Sequence, residues 1–165
     1  MLRKFIGYAL LVFFLASHST VCALDKELTT KSGLERIGRD YQKFLNFAGN
    51  DAVDCLSIEV EASALFAANF RKTVNNQLVL EGRNRLGHHL WGLREKLGRW
   101  KINPDVYPLI TATDGFSYIT VTFTGETIDR AEPIRLIVIA ILKVDGDEKI
   151  AEVFEVDHSI EITNS

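Results

Sequence analysis

Cysteine is scarce in this chain. Only Cys22 and Cys55 occur among 165 residues, which excludes a disulfide-dense scaffold. Proline is scarce as well: the three prolines, at 104, 108 and 133, all fall in the second half, and no proline-rich linker divides the chain. Basic charge is not in excess. Nineteen Lys and Arg stand against 22 Asp and Glu, a net charge of −3, so the sequence carries no electrostatic footprint for nucleic acid. There is no phosphate loop, no dinucleotide fingerprint and no HExxH pair. Asp145-Gly146-Asp147-Glu148 is acidic but lacks the ligand spacing of a calcium loop and reads as a solvated hairpin. No repeat and no low-complexity run appears. What is present, 47% hydrophobic and 25% charged residues, suits one compact soluble domain.

The first residues read as an address. Arg3 and Lys4 precede an apolar run from Phe5 to Ala16, then polar Ser17 to Thr20, then the small-residue site Val21-Cys22-Ala23. This is the three-part pattern of a secretory signal peptide, and its apolar run is short for a bilayer span. The expectation is export with cleavage after Ala23: a leader over 1–23, a single domain over 24–165, and a secreted or periplasmic product. Retention as a membrane anchor and lipidation at Cys22 are the minor alternatives. Cleavage removes Arg3 and Lys4, leaving 17 basic against 22 acidic residues, a net charge of −5. Cys55 is then the one thiol, read as a small buried hydrophobe with no base near it in sequence.

The mature part divides into helices first and strands second. Leu34, Ile37, Tyr41, Phe44 and Leu45 recur at helical spacing and predict a helix over 34–47, with Ser32 and Glu35 as a capping box. A short helix over 51–56 and a helical turn over 63–68 follow. Strands over 70–74 and 78–80 flank an Asn75-Asn76 turn. Leu86, Leu90, Leu93 and Leu97 mark a helix over 84–97, closed by Gly98. Strands are then expected over 105–112, 116–124, 134–144 and 149–157, with turns at Asp114-Gly115 and Asp145-Gly146-Asp147. The 134–144 run is nearly all apolar and reads as a central strand. Helices segregated on one side of an antiparallel sheet make an α+β domain.

This order resembles the NTF2-like superfamily, which includes ketosteroid isomerase and the SnoaL-like polyketide cyclases. Local text carries the resemblance too: Leu65-Phe66 before Phe70-Arg71-Lys72-Thr73-Val74-Asn75, then Leu80-Glu81-Gly82-Arg83 launching Leu86-Gly87-His88-His89-Leu90. It implies a cone in which N-terminal helices pack on a curved antiparallel sheet, with an apolar pocket at the open end and homodimers formed through the sheet. Its members include isomerases, cyclases, dehydratases and non-catalytic binding modules, so the fold does not settle activity.

Isomerase chemistry needs a base beside a carbonyl and donors that steady the enolate; the resemblance implies a carboxylate base and a tyrosine donor. Tyr41 is placed for the donor. The segment where the base belongs, Ala64 to Phe70, holds Asn69 and no acid, so no catalytic residue is assigned. The residues expected to bind a ligand are Tyr41, Phe66, Phe70, His89, Trp100, Tyr118, Glu152 and Phe154. Trp91 reads as a packing anchor. Strand alternation puts Glu152 on the otherwise apolar face of Ile150, Phe154 and Val156, and points Asp157 and His158 apart. His88 and His89 diverge by about 100° on a helix and do not share a metal; no metal and no cofactor is expected. The leading reading is an exported domain that binds a small apolar ligand or a protein partner without catalysis. The rival is an isomerase, cyclase or dehydratase using Tyr41, His89, Glu152, Asp157 or His158. A third makes the sheet surface an interaction platform.

Overall fold

Alternation decides the second half of the molecule. Along Phe116–Thr127 every second residue from Ile119 on is buried, and the same period runs through Ile134–Val144 from Val138, as half-buried strands require. The computed structural model describes residues 30–104, 109–113 and 116–161. The leader and the Asp114-Gly115 turn lie outside these residues, as does the first half of the strand expected over 105–112. In chain order the elements are α1 (Thr30–Ala48), α2 (Cys55–Leu65), β1 (Phe66–Val74), β2 (Gln77–Glu81), a 3-10 turn at Arg83–Arg85, α3 (Leu86–Leu97), β3 (Trp100–Pro104), β4 (Leu109–Thr113), β5 (Phe116–Thr127), β6 (Ile134–Val144) and β7 (Ile150–Glu161).

The strands form one seven-stranded sheet in the order β2-β1-β7-β6-β5-β3, with β4 also on β5. The expected antiparallel sheet is in fact mixed, because β1 runs parallel to β7. The β1–β2 turn takes the left-handed backbone at both Asn75 (φ 48°) and Asn76 (φ 66°), a conformation that asparagine tolerates and a two-residue hairpin favours. Beyond it, β3 pairs with residues 123–127 of β5 and β4 with residues 116–120. One edge position is thus filled by two successive strands. The expected 105–112 strand overlaps only β4, and β3 was missed because it follows directly on the helix with only two residues between.

The helix stripe packs as its spacing requires. Leu34, Ile37, Tyr41, Phe44, Leu45 and Ala48 are all buried. The helix begins at Thr30, so Ser32 lies within its first turn and is not a cap. α1 is tied to the sheet by polar contacts: Asn46 donates to the Ile102 carbonyl (3.0 Å) and accepts from its N–H (2.6 Å), and the Trp100 indole donates to the Leu45 carbonyl (2.9 Å). Between them lies an aromatic core in which Phe66 meets Phe44, Phe70 and Tyr41 edge-on at 5.0, 4.7 and 6.3 Å. Each such pair adds about 0.5–1.5 kcal/mol beyond its burial.

α2 replaces the two short helical pieces expected over 51–56 and 63–68. Asp54 caps it, accepting the Ser57 N–H at 2.7 Å. Only Ile58 and Ala62 of this helix are buried, while Leu56 and Val60 face solvent. Apolar residues on both faces leave no stripe to read. Residues 66–68, expected as helical turn, open β1 instead.

Candidate functional site

Parallel pairing of β1 with β7 brings two inward positions side by side. Lys72 follows the inward parity of Phe70 on β1, and Glu155 that of Val153 on β7. Their side chains meet with Lys72 Nζ 2.7 Å from Glu155 Oε2, each about nine-tenths buried. Tyr41 on α1 donates its hydroxyl to the other oxygen, Glu155 Oε1. Burial, and then the adjacent carboxylate, push the Tyr41 hydroxyl well above the ordinary tyrosine value. It therefore stays a neutral donor. The result is a cation, an anion and a phenol held together without bulk water.

The Lys72–Glu155 pair lies in the wall of a half-open cleft of about 140 Å³. Lys72 and Glu155 both line it; Leu90 and Leu93 of α3, Trp100 of β3 and Phe123 of β5 supply apolar wall. Glu126 and Asp157 add further carboxylates, and Asp157 is held by Asn75, whose side chain donates to Asp157 Oδ1 and accepts the Asp157 N–H. Lys72 also borders the aromatic core formed by Tyr41, Phe44, Phe66 and Phe70.

The residues expected to bind a ligand divide into four groups. Trp100 lines the cleft. Tyr41 reaches it through Glu155, while Phe66 and Phe70, each 1% exposed, pack in the core beneath. His89 is half-buried on α3; burial first, then the Lys72 charge, lowers its pKa against an opposing pull from Glu155. Tyr118, Glu152 and Phe154 are on the outer face of the sheet, away from the cleft. Tyr118 alternates with buried Ile119, and it pairs with outward Lys143. Glu152 also faces Lys143, at 3.7 Å, and Phe154 is 42% exposed.

A β-bulge corrects the reading of β7. Lys143 pairs with Glu152 but Val144 with Ile150, so Ala151 is an extra residue. It reverses the alternation, putting Ile150, Val153 and Glu155 inside and Glu152 outside. Simple alternation already sets Glu155 on the face of Val153 and Asp157, as observed, but neither Glu155 nor Lys72 stands out as a site residue in the sequence. The signal that marks both is a charge at an inward-parity position of an otherwise apolar strand face. Asp157 and His158 do point apart, the histidine outward and exposed. Trp91, expected to anchor the helix, is 41% exposed. Asn69 is exposed on β1 and stands outside the cleft.

Cys55 departs from its sequence reading in two ways. It is half-buried, and α3 brings His88 Nδ1 to 3.2 Å from its sulfur, a basic neighbour 33 residues away. Burial and the nearby Glu59 carboxylate raise its pKa, the reverse of what an activated nucleophile needs.

No protein-family model and no curated protein matches the sequence. Solved structures do match. A hexachlorocyclohexane dehydrochlorinase from Novosphingobium barchaimii superposes with a TM-score of 0.64 at 7% identity, over 85% of this chain and 94% of that one. A proposed scytalone dehydratase from Novosphingobium aromaticivorans gives 0.63 at 14% identity, over 86% and 93%. A proposed isomerase of the SnoaL-like family from Agrobacterium tumefaciens gives 0.53 at 13%, over 78% and 99%. The fold is NTF2-like. Helices packed on a curved mixed sheet realise the α+β cone that the resemblance implied. At these identities the likeness carries architecture, and the chemistry of this NTF2-like domain rests on its own cleft.

Proposed function

We propose that this NTF2-like domain binds a small, mainly apolar molecule in the cleft, with Lys72 donating to a carbonyl or similar acceptor on it. The observation that carries this reading is a buried Lys72–Glu155 ion pair, backed by the Tyr41 hydroxyl, in the wall of a cleft lined mostly by apolar side chains. A cavity of about 150 Å³ accepts a benzene-sized ring, so the 140 Å³ here suits one ring or a short branched chain. Lys72 has N–H groups to spare beyond its bond to Glu155. A buried donor of this kind selects ligands that carry an acceptor, because an apolar analogue would leave the donor unpaired.

The test is a thermal-shift and calorimetric screen with paired probes, cyclohexanone against cyclohexane and benzaldehyde against toluene. The carbonyl member of each pair should bind at least tenfold more tightly, and Leu93→Trp, which fills the cleft, should abolish binding. Equal binding within pairs, or binding that survives Leu93→Trp, sinks the reading.

The second reading, an isomerase, cyclase or dehydratase, is favoured by one feature. Glu155 is a carboxylate inside the cleft, suited by position to accept a proton from a bound carbonyl compound. Turnover of such a compound that is lost in Glu155→Gln with binding retained would establish it. Export after Ala23 is proposed from the leader pattern alone, and the intact mass of the protein recovered from the producing cells decides it. Among the described residues no helix is long and apolar enough to cross a membrane.

A further inference from the structure

Away from the cleft, α2 and α3 bring three chemically different donors together. Cys55 opens α2 and Glu59 follows one turn later on the same face. The two helices approach closely at Gly87. A Cβ there would lie 2.5 Å from Glu59 Cγ and 2.6 Å from the Cys55 carbonyl, so any larger residue would hold the helices apart. The next residue, His88, then directs Nδ1 to 3.2 Å from Cys55 Sγ and 3.1 Å from Glu59 Oε1, with 3.7 Å between sulfur and carboxylate.

We propose that Cys55, Glu59 and His88 form a zinc site with its fourth position open to solvent. The triangle has the right size. A tetrahedral zinc with bonds of about 2.3 Å to sulfur and about 2.0–2.2 Å to nitrogen and oxygen holds its ligands roughly 3.3–3.6 Å apart. Each side of the observed triangle meets this with a shift of a few tenths of an ångström. The donor set selects the ion. Thiolate and imidazole favour zinc and other soft or borderline cations, while calcium and magnesium require oxygen shells. Access is open, since the His88 side chain is 80% exposed and that of Glu59 28%. Two ligands one helical turn apart and a third on a packed neighbour form a rigid support, so little ordering is needed on binding. Zinc bridging α2 and α3 would also clamp the end of the molecule that carries the α3 wall of the cleft.

The site is tested on the full chain carrying Cys22→Ser, so that one thiol remains. Titration with cobalt(II) should produce the intense sulfur-to-metal charge-transfer absorption of a thiolate ligand, and zinc should displace it at one equivalent. Zinc competition against a chromophoric chelator should show at least tenfold weaker binding in Cys55→Ser, Glu59→Gln and His88→Ala, with His89→Ala unchanged. His88→Ala alters an exposed side chain and keeps the test valid if Cys55→Ser fails to fold. Absence of the charge-transfer band, or zinc affinity unchanged in His88→Ala, overturns the proposal.

Discussion

Lys72 and Glu155 show how much a single buried charge can decide. Each alone would be an uncompensated ion in an apolar interior; together they are neutral and hydrogen-bonded. Removing one partner of such a pair costs about 3–5 kcal/mol, whereas replacing both with apolar residues of similar volume is often close to neutral. Lys72→Met should therefore lower unfolding stability by about that amount in urea denaturation, and Lys72→Met combined with Glu155→Leu and with Tyr41→Phe, which removes the hydroxyl that Glu155 accepts, should recover most of the loss. Tyr41 adds a pH signature. Its folded pKa is raised by burial and by Glu155, so its contribution is complete below the unfolded value of about 10 and is lost as pH rises through the folded one. Stability of the native chain should fall more steeply above about pH 10 than that of Tyr41→Phe. Equal slopes in denaturant titrations across this range would contradict the assignment. Tyr41 was legible in sequence because it sits on a clean helical stripe. Lys72 and Glu155 were not, because a charge in a short strand reads as solvent-facing until its neighbours are known.

At the scale of elements, regular patterns were read well and irregular ones were not. α1 follows a single helical period and 134–144 is an unbroken apolar run, and both stand where these patterns put them. α2 has apolar residues on two faces, and β7 carries a bulge at Ala151; each breaks the period on which inference depends. Arg94 is another case. It is a charged residue four positions from Leu90 on α3, yet its guanidinium is buried and donates to the carbonyls of Ala48, Asn50 and Val53. It thereby ties α3 to the C-terminal end of α1, where a cation also suits the helix dipole. Arg94→Met keeps the aliphatic stem but leaves these acceptors unpaired. A loss of at least about 2 kcal/mol is expected, read as a lower denaturation midpoint, with native-like circular dichroism at low temperature.

The whole molecule has two unlike sheet faces. The inner face is covered by α1 and the aromatic core. The outer face shows Ile137, Ile139, Ile141, Phe154 and Val156, each 40% exposed or more, on the adjacent strands β6 and β7. The apolar run over 134–144 is thus central in the sheet but buried on one side only. A contiguous apolar stripe of this kind marks an interaction surface, and we propose that a second copy of the chain covers it. Sedimentation velocity should report a dimer that Ile139→Lys converts to a monomer with unchanged circular dichroism. A monomeric native chain at micromolar concentration would refute the dimer.

Composition and period alone determined the class of this protein. Scarce cysteine and unremarkable charge excluded whole categories, and helical and strand spacings ordered the elements of an α+β domain. These are local properties, set within a few residues by backbone geometry. Tertiary structure decided the cleft geometry, the Cys55–Glu59–His88 cluster and the apolar outer face exposed among the described residues. Lys72 and Glu155 are 83 positions apart, and Cys55 and His88 are 33 apart. Only a parallel strand pairing in one case and a glycine-mediated helix approach in the other make them neighbours, and neither is written in any local pattern.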